Sequence, residues 1–154
     1  MTASAESPAP TPPRGVLFEA VRIFDGTAEQ LTEPMQVLVV GNRIAQISAE
    51  PIVPPDELEP TRIQGAGRTL MPGLIDAHTH VMYATLSQPA ILTSDLGFLN
   101  VAATRAAADM LMRGFTSIRD LGGPVFGLKR GIDLGLVPGP RIWPAGAFIS
   151  QSGG

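Results

Sequence analysis

From Leu74 to Ile149 the chain alternates strand-like and helix-like stretches, and that alternation narrows its possible folds more than any other feature. Leu74–Val81 has strand character. Phe98–Arg113 is Ala-rich, with Phe98, Val101, Ala102, Arg105, Ala106, Met110 and Met112 at helical spacing. Asp95 stands where an N-cap belongs and Gly114 where a C-cap glycine belongs. Phe115–Asp120 is strand-like and runs into Gly122-Gly123-Pro124. Val125–Gly135 is a weaker helix, and Arg141–Ile149 is a third, apolar strand. Strand, helix, strand, helix, strand is the pattern of a parallel sheet, so the fold class is α/β.

The stretch before Pro72-Gly73 obeys a different pattern. Val16–Phe24 is rich in β-branched and aromatic residues and closes at the Asp25-Gly26 turn. Met35–Val40 and Arg43–Ile47 flank Gly41-Asn42, a two-residue hairpin loop. Pro51–Pro60 is a Pro-rich acidic loop, and Asp56, Glu57 and Glu59 form a solvated cluster there. Thr61–Gln64 and Arg68–Met71, around Gly65-Ala66-Gly67, are expected to make a second hairpin. The expected organisation is a disordered leader over residues 1–15 and a small antiparallel β module of sandwich type over 16–71. An α/β unit over 72–154 follows.

Composition removes several classes of function. Hydrophobic residues make up 44% and charged residues 16%, so the chain has apolar surface to bury and is not disordered throughout. The net charge is -3, with no basic stripe, which argues against nucleic acid and anionic membranes as partners. There is no Cys, which excludes disulfides, thiolate metal sites and Cys nucleophiles. No stretch approaches the ~18 apolar residues of a membrane span. Residues 1–14 lack the basic start and apolar run of a secretory signal, so a cytoplasmic location is expected.

The two histidines carry the chemistry. They are His78 and His80, in Asp76-Ala77-His78-Thr79-His80. Residues two apart on a strand share a face, with Cα atoms ~6.6 Å apart. Imidazoles so placed can converge on one metal at Zn–N distances of ~2.0–2.1 Å. The pair sits at the C-terminal end of a strand expected to be parallel, where α/β folds place their active sites. Asp76 shares that face one step deeper, placed to orient a ligand or approach the metal. Arg119 and Asp120 end the second strand near the same edge; as loop or turn residues they need no further role, and substrate contact is the sharper alternative. Gly122-Gly123, Ser150, Gln151 and Ser152 fit plain loop chemistry. Trp143, Met71, Met82, Met110 and Met112 fit packing.

The string Leu70-Met71-Pro72-Gly73-Leu74-Ile75-Asp76-Ala77-His78-Thr79-His80-Val81 resembles the opening of the barrel in the amidohydrolase superfamily. Val21–Gly26 and Val37–Ile47 resemble the N-terminal β segment of its imidazolonepropionase-like members. Gly114–Gly123 is similar to the second barrel strand of the same branch, which includes Xaa-Pro dipeptidase-like enzymes. The resemblance runs over about residues 16–154.

It implies a TIM (β/α)8 barrel of which this chain holds the first three βα units. Eight units span ~250 residues, whereas about 85 follow Leu70. The chain is therefore expected to be an N-terminal fragment, inactive alone. The resemblance makes His78 and His80 metal ligands, with zinc as the cofactor, one or two ions, and iron, manganese or cobalt as alternatives. The remaining ligands it implies, from strands four, five, six and eight, have no counterpart here, nor does a general base. The reaction implied for the whole enzyme is hydrolysis of a C–N amide bond in a small amide or dipeptide. Homo-oligomerisation is an option for the full-length enzyme. A deaminase of the same superfamily and a non-catalytic truncated product or binding partner are the competing readings.

Overall fold

A computed structural model of the chain describes residues 14–149 and 151. The leader expected over residues 1–15 lies outside the described residues, apart from Arg14 and Gly15. Among the described residues no helix is long and apolar enough to cross a membrane. The chain divides into two compact units, Met1–Pro72 and Gly73–Gly154.

The first unit is a mixed sheet. Its strands are β1 (Gly15–Ile23), β2 (Met35–Val40), β3 (Arg43–Ser48), β4 (Thr61–Gln64) and β5 (Thr69–Leu70), in the order β3-β2-β1-β4 with β5 also on β1. The first hairpin forms as expected. Val40 pairs with Arg43 across Gly41-Asn42, and Gly41 takes φ +61°, a value open to glycine at no steric cost. The second hairpin does not form. β4 and β5 both run parallel to β1, so the module is not purely antiparallel.

The reason lies at Gly65-Ala66-Gly67. Its amides pair with β1 instead of reversing the chain: Gly65 N–H donates to the Glu19 carbonyl (2.6 Å) and Gly67 N–H to the Ala20 carbonyl (2.9 Å). β1 has its own irregularity here, with Ala20 at φ +53° and a register shift between Phe18 and Val21. Two kinks therefore match each other, and the chain resumes along the same neighbour. Leu17, Leu38 and Ile52 form the buried core of this unit, with Val40 and Leu58 packed against them.

The second unit contains β6 (Leu74–Thr79), α1 (Gln88–Thr93), α2 (Leu96–Met112), β7 (Phe115–Asp120), α3 (Phe126–Asp133) and β8 (Arg141–Pro144). The strands form a parallel sheet in the order β6-β7-β8. Helix α2 starts where its cap predicts, with Phe98 N–H donating to the Asp95 carboxylate (3.0 Å), and it ends before Gly114 at φ +94°. Helix α1 has no counterpart in the sequence reading; Ser87 caps it, and Pro89 sits in its first turn. Strand β8 stops at Pro144, five residues early, because Gly146 turns the chain at φ +87°.

The packing face of α2 also differs from the expected stripe. Leu99, Ala103, Ala106, Ala107 and Met110 are buried, while Phe98, Val101 and Met112 are exposed. Three alanines flanked by Leu99 and Met110 define the buried face, and the aromatic Phe98 is left outside it. The buried residues join Val81, Met82, Ile118, Val125, Leu128 and Ile142 in one core.

Candidate metal centre

Parallel strands bring all their C-terminal ends to one edge of the sheet. His78 is the penultimate residue of β6, and His80 is the first residue after its end. The ends of β7 and β8 pair alongside: Thr79 is opposite Asp120, and Asp120 is opposite Pro144. A cavity of about 430 Å³ opens at this edge, lined by both histidines together with Leu121, Ala145 and Phe148.

The two imidazoles lie with ring centroids 5.4 Å apart and planes at 82°. His78 is exposed and His80 half-buried. Phe148 packs against His80, its centroid 5.3 Å away and its plane tilted by 50°. The Nδ1 atom of His80 is buried and has no hydrogen-bond partner. A buried ring nitrogen left unpaired costs about 1–3 kcal/mol, so such an atom points to a partner still to come. Two imidazoles on one cavity, one with an unpartnered ring nitrogen, fit a borderline cation such as zinc as part of its donor set. Among the described residues no third His, Cys, Asp or Glu joins them.

The other residues singled out from the sequence fall in three places. Asp76 turns back on its own strand: its carboxylate accepts from the His78 backbone N–H at 3.0 Å. Arg119 is exposed on a different face, lining an apolar groove of about 540 Å³ with Ile75, Ala77 and Trp143. Asp120 is fully buried, and its two carboxylate oxygens accept from Val81 N–H (2.8 Å) and Gly122 N–H (3.1 Å). Gly122 lies against the Phe148 ring and Gly123 against the Tyr83 hydroxyl, so both glycines make room for packing. Of the methionines, Met82 and Met110 are buried, whereas Met71 and Met112 are exposed. Ser150 and Ser152 lie outside the described residues.

Phe148 escaped the sequence reading. The expected third strand ran through it, which hid its place in a loop. Gly146 was the available signal: a glycine after Pro144 marks a turn, and loops after parallel strands gather at the site edge.

A sheet of parallel strands with a histidine pair at its C-terminal edge is the frame on which many hydrolases are built. Residues 69–153 match the model of the amidohydrolase family, and the chain belongs to that family. It is 37% identical over 111 residues to an imidazolonepropionase from Ectopseudomonas mendocina (strain ymp), covering 60% of this chain and 26% of the relative. It is 29% identical over 130 residues to an ochratoxinase from Aspergillus niger, covering 79% of this chain and 27% of that protein. Among solved structures, a prolidase complexed with N-methylphosphonate-L-proline superposes with a TM-score of 0.79 at 33% identity. That match covers 91% of this chain and 34% of the prolidase. The chain thus spans about a quarter to a third of the length of these relatives.

Proposed function

We propose that this chain forms the N-terminal part of a metal-dependent amidohydrolase that cleaves a C–N bond in a small amide or dipeptide. His78 and His80 are two of the metal ligands. The observation that carries this reading is the orphaned Nδ1 of His80 beside His78, in one cavity at the C-terminal edge of a parallel sheet. The names of the relatives, an imidazolonepropionase, an ochratoxinase and a prolidase, support the substrate class.

In this reading the first unit is part of a β sandwich, and β6-β7-β8 are the first three strands of a (β/α)8 barrel. The face of that sheet turned away from the helices supports it. It carries Ile75 and Trp143, 72% and 57% exposed, where barrel strands pack their inward side chains. Zinc, when bound, supplies a Lewis acid and an activated water. The chain's own residues hold it: His78 and His80 donate ring nitrogens, and Asp76 fixes the backbone of His78. Leu121, Ala145 and Phe148 make the cavity wall beside the ligands apolar. Two imidazoles are fewer than the three protein ligands of catalytic zinc sites. The chain by itself is accordingly inactive, and turnover requires the strands that supply the rest of the cage.

The test is zinc and cobalt titration of the chain, with His78→Ala/His80→Ala as control. One weak site lost in the double variant is the expected result. Equal binding by both proteins would overturn the ligand assignment. Hydrolysis of dipeptides by the wild-type chain above the double variant would overturn the claim that it is inactive alone.

A further inference from the structure

We propose that Asp120 is a positioning residue for His80, acting through the backbone on either side of the cavity. The inference deepens the metal-centre reading and rests on it for its functional meaning. Asp120 closes β7 and is 0% exposed, on the same strand face as the fully buried Ile118. A carboxylate on a core face is costly unless hydrogen bonds satisfy it. Two backbone amides do so here, Val81 N–H on one oxygen and Gly122 N–H on the other.

Their positions give the arrangement its meaning. Val81 immediately follows His80, and on the other side the Thr79 carbonyl accepts from Leu121 N–H at 3.0 Å. His80, past the last residue of β6, is thus tied to the end of β7 from both flanks, and the Asp120 carboxylate makes the outer tie. The second amide belongs to Gly122, whose Cα leaves no space for a side chain beside Phe148. Phe148 in turn lies against the His80 ring. One buried carboxylate therefore sets both the backbone that carries His80 and the turn on which its aromatic neighbour rests. A hydrophobic residue at 120 would fill the core but free both amides.

The experiment uses the 154-residue chain and two readouts: cobalt(II) affinity from its visible absorption, and the His80 ring resonances of the metal-free protein. Asp120→Asn keeps the shape but presents one acceptor and one donor to two N–H groups. It is expected to weaken cobalt affinity roughly tenfold or more and to shift the His80 resonances. Asp120→Glu, which keeps both acceptors, restores part of each. Ile142→Val, a mild lesion in the same core, moves neither. The proposal is overturned if Asp120→Asn leaves both readouts unchanged, or if Ile142→Val reproduces its effect. It is also overturned if the Val81 and Gly122 amides of the wild-type chain exchange freely with solvent, a test that needs no variant to fold. Wild-type chain that binds no cobalt, while Asp120→Asn still shifts His80, would refute the metal reading and support the positioning role.

Discussion

On one face of the β6-β7-β8 sheet Ile118 and Ile142 are 0% and 2% exposed, in a core shared with α2 and α3. On the other face Ile75 and Trp143 remain 72% and 57% exposed. The strands alternate between the two, as period-two geometry requires. Parallel sheets are ordinarily covered on both faces. Within this unit the second face is apolar and leaves Ile75 and Trp143 uncovered. The site edge lies where the faces meet. Its polar groups divide accordingly: Asp120, on the covered side, is satisfied twice, whereas Arg119 is exposed on the open side. Packing on the covered side fixes the backbone at the strand ends, while side chains on the other side stay free of it.

The largest effect tests that contrast directly. Ile118→Ala is expected to cost about 2–5 kcal/mol, the range for deleting a buried aliphatic side chain. Ile75→Ala, mostly exposed, is expected to change stability by about 0.5 kcal/mol or less. Urea midpoints of the two variants measure the difference. Equal losses would mean that Ile75 is covered in solution and that the two faces do not differ.

The next effect belongs to the edge between the faces. Zinc at a hundredfold excess over its dissociation constant stabilises a one-site protein by about 2.7 kcal/mol. Thermal melts of the wild-type chain are expected to rise with zinc, and those of His78→Ala/His80→Ala to stay flat. A similar rise in both would place the bound ion elsewhere.

How far the sequence reaches can be judged from these same residues. The histidine pair was legible because residues two apart at a strand end stay close, even though β6 stops at Thr79 and its register shifts between Asp76 and Thr79, and Asp95 and Gly114 bounded α2 because capping is local chemistry. The face of α2 was not legible, since an Ala-rich helix can approach the sheet on small residues and leave Phe98 and Val101 outside. Nor was the parallel course of β4 and β5: Gly65-Ala66-Gly67 does make a turn, with Arg68 N–H donating to the Gly65 carbonyl, but its Gly65 and Gly67 amides pair with β1 and the chain continues along the same neighbour. The role of Asp120 was hidden for a similar reason. Its partners are backbone amides 39 and two residues away, and amides leave no mark in composition.

Ala66 offers a smaller measurement, one that leaves burial aside. It holds φ +50°, a conformation that costs a non-glycine residue ~1–2 kcal/mol. Glycine removes that cost but adds ~0.5–1 kcal/mol of unfolded-chain entropy. Ala66→Gly is therefore expected to stabilise by about 0.5 kcal/mol, read as a higher urea midpoint. A loss instead would show that the Ala66 methyl packs, which would make this turn resemble the covered face rather than the open one.

The smallest effect concerns Asp25, in the first unit, which is fully exposed. Thr27 and Ala28 amides donate to its carboxylate at 2.8 and 2.9 Å, and those bonds, Ala28 first, hold its pKa below the ordinary 3.8. A depressed carboxylate adds stability above its unfolded value, and that contribution is lost as pH falls through the lowered one. The turn after β1 should therefore stay ordered down to about pH 3.8 and loosen below it. Amide shifts of Thr27 and Ala28 should titrate together in that window, and Asp25→Asn should flatten both curves. Because nothing is buried around this carboxylate, its titration isolates what two amide hydrogen bonds do in water. Asp120 makes the same number of amide bonds inside a core. If Asp25→Asn leaves the Thr27 and Ala28 amides in place, two exposed hydrogen bonds do not fix a turn, and burial is what lets the Asp120 bonds hold the backbone beside His80.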